Sequence, residues 1–194
     1  MFGFKKKTSA PALTASQLQP RIKHLNFLRA LREAGVPAGE VPYNTPLCGE
    51  LLVTYAFDLP DSLVMATTGL LERAGVGVND LPTLAHANLR RVLPQPQFFA
   101  KDGCGLAHTG GGMEATLLLV DDVWNQMQAN FRSEILVTAP RRDRILICDS
   151  ADAAAIAALR MQTREAFDEY DDPHRLSTQI MVRQGSGWAL YGDQ

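Results

Sequence analysis

The stretch ILVTAPRRDRILIC, residues 135–148, decides the fold. Two runs of β-branched and aliphatic residues, 135–139 and 144–148, are separated only by Pro140, Arg141, Arg142 and Asp143. Parallel neighbours need a crossover of about a dozen residues or more, so strands this close must run antiparallel. Working outward, ELLVTYAFD at 50–58 is apolar on both alternate faces, as a central strand should be, and 62–66 returns beside it after Pro60 and Asp61. Residues 97–101 and 105–108 read as two more strands. After the turn Gly110, Gly111, Gly112, the run 114–119 is expected to enter as another strand and close a hairpin. The chain finishes with a hairpin of 178–183 and 188–191 about Gly185 and Gly187.

Amphipathic helices fall between these strands. Leu18, Ile22, Leu25 and Leu28 recur at helical spacing, with Pro20 in the first turn and Gly35 beyond the end, and predict helix one. A brief helix is expected over 68–74, stopped by Gly75. Asn79 or Asp80 caps the next, with Leu81, Leu84, Ala85, Leu89 and Val92 in one stripe. Asp121 and Asp122 start one carrying Val123, Trp124, Met127 and Phe131, and Ser150 starts the last, which ends before Pro173. The fold class is therefore α+β: a mainly antiparallel sheet built from hairpins, with amphipathic helices packed on one face. Residues 1–15 lack periodicity and read as a tail, and 16–194 as a single domain.

Composition narrows the function classes. A chain of 194 residues can bury a continuous core without disulfides or a structural metal. The net charge of −2, with both signs interspersed, gives no broad positive field, so no nucleic acid is expected as partner. Cys48, Cys104 and Cys148 are odd in number and far apart, without the spacing of zinc or redox centres. No signal-peptide core is legible in 8–19, and no apolar run approaches the roughly 20 residues of a membrane span. A cytoplasmic location is the expectation.

The segments GELLVTYAFDLPDS (49–62), LAHANLRRVL (84–93), GMEATLLLVDDVW (112–124) and APRRD (139–143), in that order, resemble the YtpQ-like bacterial family, a conserved domain of unknown function. The resemblance covers most of the chain after the tail and implies a bacterial, cytoplasmic protein of this fold, without implying an activity. It departs at Thr109 to Gly112, which is richer in glycine than that family's turn, where an aspartate is usual.

Several constellations can carry chemistry. Cys104, His108 and Glu114 flank the triple-glycine turn, where an imidazole can activate a thiol. On an extended strand, however, Cys104 and His108 stand about 13 Å apart, which no direct hydrogen bond spans. The turn itself offers backbone donors to a phosphate but lacks the lysine of a P-loop. Asp58 with Asp61, and Asp121 with Asp122, are carboxylate pairs that also suit capping. Arg141, Arg142 and Arg144, with Arg132 or Arg175, can clamp a carboxylate or phosphate, although such hairpin tips are commonly just solvated. Trp188 beside Gly187 is a candidate contact residue, while His24, His86 and His174 are isolated; no metal or cofactor is expected. The reading is a non-enzymatic module that binds another protein, as chaperones and toxin-neutralising immunity proteins do. The alternative is a hydrolase or transferase using Cys104 and His108, or a carboxylate pair, near the Gly110 to Gly112 turn. A third reading is a sensor of anionic small ligands through the hairpin-tip arginines.

Overall fold

The run LLVTYAFDL at 51–59 is buried at every position except Asp58, on both of its faces, and the fold is arranged around it. The computed structural model describes residues 12–101, 103–170 and 173–192. In chain order the elements are β1 (Leu18–His24), α1 (Asn26–Glu33), β2 (Asn44–Cys48), β3 (Leu51–Leu59), β4 (Ser62–Met65), α2 (Thr68–Arg73) and α3 (Leu81–Val92). Then come β5 (Gln97–Lys101), β6 (Cys104–His108), α4 (Asp121–Gln128), β7 (Ile135–Arg141), β8 (Arg144–Asp149), α5 (Ala153–Asp168), β9 (Met181–Gln184) and β10 (Gly187–Leu190). Short 3-10 helices lie at Ala15–Gln17, Ala38–Glu40 and Glu114–Leu119.

The fold is α+β with antiparallel sheets. One sheet holds β1, β3 and β2 in that order with β4 also paired to β3; the other runs β10-β9-β7-β8-β6-β5. Period-two alternation sends Leu51, Val53, Tyr55 and Phe57 into one core with Ile135, Val137, Ile145 and Ile147 of the larger sheet. The opposite face of the larger sheet, with Leu136, Leu146, Cys148 and Val182, is covered by α5 through Ala155 and Leu159. Between those layers the hydroxyls of Thr138 and Thr163 meet at 2.7 Å, so neither is left unpaired. Leu13 and Ala15, at the end of the expected tail, pack against the main core, and Asn88 of α3 donates to the carbonyl of Ala15. No helix among the described residues is long and apolar enough to cross a membrane.

Three expectations are corrected. Residues 18–24 form a strand rather than the start of helix one: Leu18 and Ile22 satisfy a period of four and a period of two alike. The alternation of Leu18, Pro20 and Ile22 with Gln19, Arg21 and Lys23 was the deciding signal. Among the described residues β1 pairs only with β3, and an edge strand tolerates Pro20. Helix α1 begins at Asn26. Residues 114–119 form a 3-10 helix, not a strand, so no hairpin follows the triple glycine. This segment is buried from Glu114 to Leu118, its polar residues included, and Ala115 N–H donates to the carbonyl of Arg142 at 2.9 Å. Its last turn is pinned by two indoles, Trp124 donating to Leu117 O at 2.7 Å and Trp188 to Leu118 O at 2.8 Å. Helix α5 is capped by Asp152, whose carboxylate accepts from Ala154 and Ala155 N–H, while the Ser150 hydroxyl accepts from Glu134 N–H.

Two measurements check this packing. Trp188→Phe leaves the buried Leu118 carbonyl without its indole donor and should cost about 1–3 kcal/mol in urea denaturation. A change within roughly ±0.5 kcal/mol, normal for a surface residue, would contradict the assigned role. His86 on α3 is half-buried with Nε2 enclosed and unpartnered among the described residues. Burial, partly offset by Asp121, holds its pKa below the ordinary value of 6.5. The unfolded chain therefore binds a proton more readily, so stability is complete above pH ~6.5 and declines as pH falls below it. In His86→Gln that part of the pH slope should vanish.

Candidate functional site

The cleft beside the glycine turn collects cations from two separate parts of the fold. Arg21 and Lys23 stand on the polar face of β1, two residues apart and therefore on the same side of the strand. Arg142 arrives from the turn between β7 and β8, its backbone held on both sides: N–H donates to His174 O and the carbonyl accepts from Ala115 N–H, each at 2.9 Å. Together with Gly111, Gly112, Met113 and Leu63 they line a cavity of about 310 Å³, at the small end of the range, roughly 300–1,000 Å³, that ligand sites occupy.

The electrostatics agree with this convergence. Burial, and then the charges of Arg142 and Arg21, hold Lys23 below the ordinary lysine value. Arg21 is lowered by burial and by Arg142, with Asp58 opposing at 3.3 Å. Among the described residues neither Lys23 nor Arg142 has a carboxylate within ion-pair distance; Lys23 lies 5.3 Å over the Phe27 ring. Like charges are thus held together without full compensation.

The glycine loop is closed by Glu114. This carboxylate is 1% exposed, and its Oε1 accepts from Thr109 N–H at 2.9 Å and from the Thr109 hydroxyl at 3.1 Å, with His108 Nδ1 at 3.3 Å. Gly110 and Gly112 have φ of 74° and 64°, the left-handed region that only glycine enters freely. Glu114 is a brace for the loop in this arrangement.

The other expected site residues are dispersed. Cys104 is buried under α5, with its thiol 3.6 Å from the Ala155 carbonyl, whereas His108 turns to Glu114; the thiol and imidazole do not meet. Its cross-strand neighbour Cys148 is pushed up to about 12, by burial first and then by Cys104, Asp149 and Asp152. Arg141 is buried, beside Asp143 at 3.4 Å and against the Tyr170 ring, and Arg144 pairs with Glu169 at 2.9 Å. Of the three hairpin-tip arginines, Arg142 alone lines the cleft. Trp188 stands edge-on to Trp124 at 5.0 Å, under the Arg183 guanidinium. Asp58, Asp121 and Asp122 each pair with an arginine, and no group of three metal-binding side chains occurs among the described residues. Sequence reading missed Arg21 and Lys23 because it placed them on a helix.

Fold and site together define an α+β domain of two antiparallel sheets with a cationic cleft where β1 and the β7–β8 turn meet. The chain is similar to a protein named UPF0354 protein from Listeria monocytogenes, 24% identical over 159 residues, which are 79% of this chain and 60% of that protein. It thus spans about three fifths of that relative's length. No family model matches the chain, and no solved structure does.

If three cations are held together against repulsion, removing one relieves the fold. Arg142→Gln should raise Tm by about 1–2 °C at low ionic strength, and the gain should shrink as salt screens the cleft. A salt-independent fall in Tm would contradict the crowding.

Proposed function

We propose that the chain is a non-enzymatic binding module that takes an anionic group of its partner into the Arg21, Lys23 and Arg142 cleft. The observation that carries it is the convergence of these three cations, with one carboxylate among them, on a preformed cavity. Proteins hold like charges together where binding requires it, because a bound anion returns the electrostatic cost. The separate surroundings of Cys104 and His108 favour this reading over the thiol-based hydrolase or transferase. Membership of the YtpQ-like family and a place in the bacterial cytoplasm belong to the same proposal, supported by the segments at 49–62, 84–93, 112–124 and 139–143.

A protein partner docking elsewhere is the second reading. It is favoured by β5, the outermost strand of the larger sheet, where Phe98 and Phe99 are 39% and 49% exposed. An open strand edge carrying apolar side chains suits the addition of a partner's strand.

A thermal-shift panel of small anions at low ionic strength tests the first reading. Ligand at a hundredfold its Kd stabilises by about 2.7 kcal/mol. At least one anion should raise the Tm of the wild-type chain and fail to raise that of Lys23→Gln/Arg142→Gln. Equal stabilisation of both proteins, or of neither, would count against the cleft.

A further inference from the structure

We infer that the anion is the phosphate of a small phosphomonoester, seated between the Arg21, Lys23 and Arg142 cations and the backbone of Gly111, Gly112 and Met113. This rests on the anion-binding reading and goes further by naming the group. Charge is the first ground. Three cations with Asp58 as counter-charge leave two positive charges uncompensated, and a phosphomonoester carries about −1.5 to −2 at neutral pH where a carboxylate carries one.

The loop supplies the second ground. The backbone N–H groups of Gly111, Gly112 and Met113 have no acceptor among the described residues, while Thr109 N–H, just before them, is taken by Glu114. At Gly112 φ is 64° and at Met113 it is −125°, a change of hand between successive residues of the kind that anion-binding nests use. A tetrahedral group with three terminal oxygens can accept from several such donors and a guanidinium at once.

Gly111 is the third ground. Gly110 and Gly112 need to be glycine for their positive φ, but Gly111 does not, and a Cβ added there would meet nothing within 4 Å. Neither backbone conformation nor packing accounts for a glycine at a position that lines the cleft. The open space there leaves room for a ligand to approach the main chain closely. Leu63 and Met113 flank the cavity and offer an apolar surface to the organic body of the ester. The cavity volume is several times the ~30 Å³ that one water occupies, so there is room for more than a bare oxyanion.

The experiment is an NMR titration of the full chain with phenyl phosphate, inorganic phosphate and benzoate at low ionic strength, repeated on Gly111→Val and Arg142→Gln. Phenyl phosphate should move the amides of Gly111, Gly112 and Met113 and bind at least tenfold more tightly than benzoate, with inorganic phosphate between. Gly111→Val should keep the wild-type Tm and weaken phenyl phosphate at least tenfold; Arg142→Gln should weaken all three ligands. Benzoate binding as tightly, with the loop amides unmoved, would overturn the phosphate assignment and leave the anion cleft standing. Undiminished phenyl phosphate binding by Gly111→Val would overturn the role of the loop. No response to any of the three would remove both readings.

Discussion

The pinned 3-10 segment Glu114–Leu119 is the constraint on which the cleft depends. Its first residue braces the glycine loop through Thr109, its second donates to the Arg142 carbonyl, and its last turn is anchored by Trp124 and Trp188. Each bond satisfies a polar group that the surrounding core would otherwise strand. Because the anchors come from α4, β10 and the β7–β8 turn, the segment ties the larger sheet to the loop that faces β1. Position at the cleft is therefore inherited from core packing, which is the stiffest part of a protein.

Charge is then placed on that rigid frame. β3 is buried on both faces, and its outer residues Leu52, Thr54 and Ala56 are flanked in register by Lys23, Arg21 and Gln19 of β1. Long cationic side chains can shield apolar surface with their stems while their heads gather elsewhere. The same two residues that complete the small sheet thus supply the cleft with charge, and Arg142 adds a third from across the loop. Stability and binding compete here, since repulsion among the heads is the counterpart of shielding by the stems.

Much of the fold was legible because short turns force antiparallel neighbours. The 14 residues from Ile135 to Cys148 fixed the centre of the larger sheet, and the pairing of β7 with β8 follows directly from them. What misled lay where two periods coincide. Leu18 and Ile22 fit a helix and a strand equally, and only the polar residues between them decide. The run 114–119 buries Glu114 and Thr116 along with its apolar residues, so no exposed face orients it, and its backbone state was set by tertiary partners, Arg142 and two tryptophans, that no local pattern encodes. The cleft was half legible: the glycines and Arg142 were both marked, but as separate features. Their meeting with Arg21 and Lys23 depends on a strand that had been read as a helix.

The central claim is that Lys23 and Arg142 share one electrostatic site, and the titration of the Lys23 ammonium, followed by NMR of selectively labelled lysine, tests it most directly. In the wild-type chain Lys23 should titrate below the ordinary 10.5, and neutralising Arg142 should move it upward by removing a neighbouring positive charge. A Lys23 titration curve indifferent to the residue at 142 would mean that the two cations do not share a site, and the account would fail.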